Sequence, residues 1–228
     1  VTRLEAGTLK PRSEVVSLAT RVRKAWEALG TEDVAFDVDD EAGGWLAVAE
    51  HPARFVTFTS LAIPPLGGML KAARRFPSQL RNSWYMFFFQ VGLSDYVVSA
   101  NDLEFIDRLW ADWSPGHDAT VDMGHIRASL GSRENLAAAL GYYRATWGTE
   151  PVSAAYQDIQ DVLGSPPPQP TLYIHGRNDG CVGVEFAENA AAGLSPGSSA
   201  AIIEGAGHFT QVEKPEEFNR LVIDFIQS

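Results

Sequence analysis

Cysteine is nearly absent: Cys181 is the only one in 228 residues. It cannot close an internal disulfide, which suits a cytoplasmic protein or a fold that needs no disulfides. Long apolar runs are missing too. None approaches the ~20 residues that cross a bilayer as a helix, which excludes a transmembrane helix. Basic residues are outnumbered, with 18 Lys and Arg against 29 Asp and Glu, for a net charge of −11. Such a chain repels phosphate backbones, and no basic stripe with interleaved aromatics offsets this, so nucleic acid is excluded as a partner. There is no signal-peptide pattern, internal repeat or low-complexity tract, and the first residue is Val1 rather than Met.

What is present is an ordinary globular composition, 45% hydrophobic, with a generous 11% of aromatic residues. The negative charge is unevenly spread. Six of the ten residues from Glu32 to Glu41 are acidic (Glu32, Asp33, Asp37, Asp39, Asp40 and Glu41), supplying −6 of the −11.

Apolar spacing predicts an amphipathic helix over Ser13–Leu29, stopped by Gly30. Asp33–Val38 is a strand candidate weakened by its acids, and Gly43–Glu50 suits a helix ended by His51-Pro52. Phe55–Ala62 is β-branched and aromatic, a buried strand stopped by Pro64-Pro65. From Leu66 to about Leu163 no strand stands out, and the Trp-, Phe-, Tyr- and Arg-rich sequence reads as several helices. After the stiff connector Ser165–Pro170, strands at Thr171–His175 and Ser199–Glu204 alternate with helices at Val184–Leu194 and Glu216–Ile226. This alternation implies an α/β protein with a parallel sheet.

Two loops at strand ends can carry chemistry. Gly205-Ala206-Gly207-His208-Phe209 follows a strand and precedes a helix. Its glycines permit a tight turn that holds an imidazole at the carboxyl edge of the sheet, where a near-neutral base is useful. His175-Gly176-Arg177-Asn178-Asp179-Gly180 also follows a strand, and Asp179 is positioned to orient a histidine from the next strand–loop unit. The same Asn-Asp-Gly sequence makes an ordinary turn, so it is the pairing with His208 that favours a functional role. His117 and His125 lack the companions of a metal site, and no cofactor or metal is expected. Cys181 beside Asp179-Gly180 is either a reactive thiol or a small packing residue.

With the helical insert and the proline connector, these segments resemble the α/β-hydrolase superfamily. Ser83-Trp84-Tyr85-Met86-Phe87-Phe88-Phe89-Gln90 and Tyr142-Tyr143-Arg144 resemble the two cap motifs of its epoxide-hydrolase-like branch. His51-Pro52-Ala53-Arg54-Phe55, Thr171–Gly176 and Gly205–Phe209 match segments of the same branch. The resemblance implies an incomplete parallel sheet of about four strands with a helical cap inserted between strands. The corresponding partition is 1–65 for the first part of the core, 66–165 for the cap and 166–228 for the closing part. The family's opening strands and its H-G-x-P loop have no counterpart after Val1, so the chain is expected to be truncated at its front.

In function the resemblance implies a cofactor-independent hydrolase opening a small apolar or aromatic epoxide to a vicinal diol. An aspartate would attack the epoxide, Asp179 and His208 would hydrolyse the resulting ester, and the hydroxyls of Tyr85 and Tyr143 would bond the epoxide oxygen. Trp84 and Phe88 would line the pocket. The following Arg144 favours Tyr143 over Tyr142. The nucleophile elbow, G-x-D-x-G in the family, reads here Phe36-Asp37-Val38-Asp39-Asp40-Glu41-Ala42-Gly43-Gly44. Counting from Leu29-Gly30 selects Asp40, whereas counting from Gly43-Gly44 selects Glu41. The departure leaves open a catalytically impaired or truncated binding protein, and Trp84 leaves open a related dehalogenase. An uncovered sheet edge would be available for pairing with a second copy as a homodimer.

Overall fold

A computed structural model describes residues 44–45, 48–49, 52–64, 77–147, 166–188 and 190–228. All of them belong to one compact unit, Asp40–Ser228. The helix expected at Ser13–Leu29, the strand candidate Asp33–Val38, and Asp40 and Glu41 lie outside the described residues.

Three strands, β1 (Phe58–Leu61), β2 (Thr171–Gly176) and β3 (Ser199–Ile203), form a parallel sheet in the order β1-β2-β3. Phe58 pairs with Thr171 and Leu61 with Ile174, while Leu172 pairs with Ser199 and Gly176 with Ile203. The fourth strand expected from the sequence falls on residues that the structure does not describe. The central strand β2 is buried along its whole length, as a parallel strand covered on both faces must be.

Between β1 and β2 the described chain is helical, as its sequence predicts. The helices are α1 (Pro77–Asn82), α2 (Trp84–Phe88), α3 (Leu93–Ser99), α4 (Glu104–Trp113), α5 (Thr120–Leu130) and α6 (Arg133–Trp147). After β3 come the single turn α7 (Thr210–Glu213) and the closing helix α8 (Pro215–Gln227). Helix α8 begins with proline and carries Glu216 and Glu217 in its first turn, where the backbone donors are unpaired. Its Phe218 and Val222 are buried with Leu172, Ile174, Ile203 and Ala206, forming the core of the sheet.

A second core gathers Tyr85, Phe89, Val98, Leu109, Leu136 and Leu140 from the helical insert with Cys181, Val182 and Phe186 from the loop after β2. The insert therefore packs on the segment that follows Asp179. Gln79 of α1 completes the attachment, donating to the Cys181 carbonyl at 2.8 Å and accepting the Gly183 N–H at 3.0 Å.

One predicted helix is not formed. Val184–Leu194 is instead two short 3-10 turns, Val184–Phe186 and Ala190–Gly193. Of this segment, Phe186 enters the second core, and the alanines at 190–192 offer no large side chains to hold a longer helix in place. Gly44, Trp45, Val48 and Ala49 are helical, as expected for Gly43–Glu50. The Trp45 indole packs edge-on to Phe58 at 4.9 Å and donates to the Ile63 carbonyl at 3.2 Å, tying this stretch to both ends of β1.

Ile174 is completely buried in the sheet core. Ile174→Ala should lower the unfolding free energy by ~2–5 kcal/mol and Ile174→Val by ~0.5–1.5 kcal/mol, measured by urea denaturation. Equal effects of the two would mean that this position is not close-packed.

Candidate active site

The site begins where β2 ends. The turn after it is locked to the loop after β3 by two main-chain bonds, Arg177 N–H to the Ile203 carbonyl at 3.0 Å and Asn178 N–H to the Ala206 carbonyl at 2.8 Å. This sets Asp179 opposite His208 at the carboxyl edge of the sheet, where α/β folds bind ligands.

The Asp179 carboxylate is buried and well supplied with donors. Its Oδ1 accepts the N–H groups of Cys181 at 2.7 Å and Val182 at 2.8 Å. Its Oδ2 lies 2.9 Å from His208 Nδ1 and 3.5 Å from His175 Nε2. A carboxylate only accepts, so the His208 proton sits on Nδ1, and Nε2 of the neutral ring is left as the base. Burial opposes the charged imidazolium. The Cys181 sulfur and the Asp179 carboxylate outweigh it, raising the His208 pKa well above the ordinary imidazole value.

His175 is fully buried on the other side of Asp179. Its Nε2 donates to the Val182 carbonyl at 2.9 Å, and its Nδ1 lies 2.9 Å from the Tyr173 hydroxyl, which also reaches the Ala62 carbonyl at 3.0 Å. Burial pushes the His175 pKa down, against the raising pull of Asp179 and the Val182 carbonyl. The ring thus braces the acid loop without competing for the charge.

The insert contributes the aromatic side. Tyr85 is 2% exposed, its hydroxyl 3.4 Å from Cys181 Sγ. Its ring lies 5.0 Å from Trp113 and 5.8 Å, edge to face, from Tyr143, and Trp113 in turn lies 5.6 Å from the His208 ring. Arg144 anchors the Tyr143 turn, donating to the Phe89 carbonyl at 2.8 Å, Ser94 Oγ at 2.9 Å and Asp95 Oδ2 at 2.8 Å. Asp179, His208, Tyr85 and Tyr143 are therefore brought into one neighbourhood.

Trp84 and Phe88 stand further out. Trp84 is 45% exposed and packs on Phe88 and Phe105, and it shares a surface hollow of about 240 Å³ with Trp113, Asp112 and Gly180. Phe88 is half-buried among Trp84, Phe89 and Phe105. In the Phe87-Phe88-Phe89 run it is Phe89 that is buried and Phe87 that is exposed, as helical spacing requires. His117 pairs with Asp122 at 3.0 Å, and among the described residues no group of three His, Cys, Asp or Glu is arranged to hold a metal ion.

Three residues join the site that the sequence did not single out. The Trp113 carbonyl accepts the N–H groups of both His208 at 3.0 Å and Gly180 at 3.1 Å. Ser114 Oγ also accepts the His208 N–H, at 3.1 Å, and donates to Glu213 Oε1 at 2.7 Å. Glu213 further accepts the N–H groups of Gly207 at 2.7 Å and Phe209 at 3.0 Å. Of these only Glu213 left a trace in sequence, an acid five residues after His208 on the turn leading to Pro215.

The parallel sheet, the helical insert and the Asp–His pair at the strand ends are those of the α/β-hydrolase fold. Bacillus megaterium epoxide hydrolase, solved with an inhibitor, matches with a TM-score of 0.66 at 22% identity, over 94% of this chain and 76% of that one. Epoxide hydrolase A from Mycobacterium thermoresistibile matches with a TM-score of 0.60 at 20% identity, over 94% and 75%. In sequence the chain is epoxide-hydrolase-like. It is 30% identical over 164 residues to epoxide hydrolase 3 of Xenopus tropicalis, covering 66% of this chain and 40% of that protein. It is 27% identical over 216 residues to epoxide hydrolase 1 of Caenorhabditis elegans, covering 90% and 50%. The chain thus spans about half the length of these curated relatives. No protein-family model matches it.

Because the folded state raises the His208 pKa, the stability drawn from the charged ring is complete below the unfolded value of ~6.5. It is lost as the pH rises through the folded value. Asp179→Asn removes one source of the raised value, so NMR titration of the His208 ring should show its midpoint move down. An unmoved midpoint would mean that the carboxylate does not stabilise the imidazolium.

Proposed function

We propose that the chain carries the acid, base and cap of an epoxide hydrolase that converts a small apolar or aromatic epoxide to a vicinal diol. The observation that carries this reading is the buried Asp179–His208 pair, its Nδ1 side satisfied at 2.9 Å, linked through Trp113 to the Tyr85 and Tyr143 rings of the insert. The pair alone would serve many hydrolases. Phenols beside it favour a substrate whose oxygen must be protonated as its bond to carbon breaks.

A carboxylate oxygen, assigned to Asp40 from the sequence, attacks one epoxide carbon. The carbon–oxygen bond opens, and the alkoxide is stabilised and protonated by the Tyr85 and Tyr143 hydroxyls. Neutral phenols supply these hydrogen bonds without placing a charge in the resting pocket. The enzyme then holds a hydroxyalkyl ester. His208 Nε2 takes a proton from water, and the hydroxide oxygen attacks the ester carbonyl. The ester bond breaks, releasing the diol and restoring the carboxylate, while Asp179 stabilises the imidazolium until its proton returns to the tyrosine phenolate. In this reading residues 66–165 form the cap and the flanking segments the core. The surrounding Trp113, Phe89 and Leu109 favour an apolar substrate.

His208→Gln should let the ester form and block its hydrolysis. Incubation with an aryl epoxide should then add the mass of one substrate to the protein, and peptide mapping should locate it on Asp40. Label on Glu41 would move the nucleophile by one residue, and absence of any ester would remove the covalent mechanism. Tyr85→Phe should lower diol formation by ~100-fold with a smaller change in KM.

A further inference from the structure

We propose that the end of helix α4, Trp113-Ser114, acts with Glu213 as a positioning device that fixes the His208 imidazole and ties it to the seating of the helical insert. This rests on the proposed function above, in which His208 is the base.

The loops bearing Asp179 and His208 arise from different strands, and the tip of α4 is fastened to both. The Trp113 carbonyl accepts one N–H from each, Gly180 in the acid loop and His208 itself. Ser114 is 1% exposed, and its hydroxyl meets the same His208 N–H on one side and Glu213 on the other. Glu213 then receives the N–H groups flanking His208, from Gly207 and Phe209. Three consecutive main-chain donors, 207 to 209, are thereby held by a single cradle, and its serine belongs to the insert.

Close approach makes the fastening possible. A Cβ on Gly180 would collide with the Asp112 carbonyl, and one on Gly207 with Ser114 Cα and the Trp113 carbonyl. The aromatic stack of Trp110 on Phe209, at 3.9 Å and 17°, joins α4 to the residue after His208 as well. A shift of α4 would therefore drag the imidazole with it. Proton transfer to and from a reacting group is sensitive to displacements of about 1 Å, which cost up to ~100-fold in rate. Ser114 and Glu213 are accordingly positioning residues, acting through His208.

The test compares Ser114→Ala and Glu213→Gln with wild type, using Arg220→Ala, an exposed position on α8, as the control. The first readout is the downfield NMR resonance of the proton between His208 Nδ1 and Asp179, which reports ring placement whether or not the chain turns over. It should shift or exchange-broaden in both variants and stay in place in the control. The second is turnover of styrene oxide, where kcat should fall by ~10- to 100-fold while KM changes by no more than about twofold. An unmoved resonance in both variants overturns the proposal, as does a moved resonance with unchanged kcat. If His208→Gln leaves diol formation intact, it is the catalytic reading that fails, and the resonance alone then decides the positioning role.

Discussion

A carboxylate buried beneath a protein surface is stable in its charged form only when donors surround it. The region around Asp179 is organised by that requirement. Two main-chain donors approach Oδ1 from the following residues, and the His208 ring approaches Oδ2 from the next strand. The loop that supplies the first two is itself pinned, since Val182 donates to Asp179 while its carbonyl accepts from His175. His175 in turn rests on Tyr173, two residues back along β2. The shape of the loop and the placement of the histidine thus keep one charge satisfied.

The same loop is where the insert is attached. Cys181, Val182 and Phe186 belong to the apolar core of the helices, and Gln79 of α1 closes on Cys181 and Gly183. The segment after Asp179 therefore serves two masters, presenting amides to a carboxylate on one side and apolar side chains to the insert on the other. That is why the aromatic wall of Tyr85, Phe89, Trp113 and Tyr143 stands beside the imidazole rather than at a distance from it.

What could be read from the sequence follows from the range of the interactions involved. Asp179 and His208 were legible because each sits in a short strand–glycine–loop pattern whose geometry is local. The closing helix was legible because helical periodicity is local too, whereas in the Phe87–Phe89 run the sequence pointed to Phe88 and the fold buries Phe89. The Val184–Leu194 segment reads as one helix because its composition resembles one, while among its described residues Phe186 and Ala187 are the apolar ones that become buried. Ser114 gave no signal, and Glu213 only the trace of an acid close after His208, because the bond that joins them spans 99 positions in sequence. Trp113 contributes a carbonyl, a group that every residue possesses, so no residue type could have announced it. Asp40 lies where the sequence departs from the family pattern and outside the described residues, so its role remains a reading of spacing.

The fastening between insert and sheet is built largely from main-chain atoms, namely one carbonyl, the amides of residues 180, 207, 208 and 209, and two glycines that let backbones touch. Its side-chain parts are a serine, a glutamate and the stacked rings of Trp110 and Phe209. The rings of Trp84 and Phe88 take no part in it. Their size and shape can therefore change without loosening the joint, so this outer aromatic surface is free to be recut while the bonds around His208 stay as they are. In such a construction surface shape and mechanical integrity are inherited through separate sets of residues.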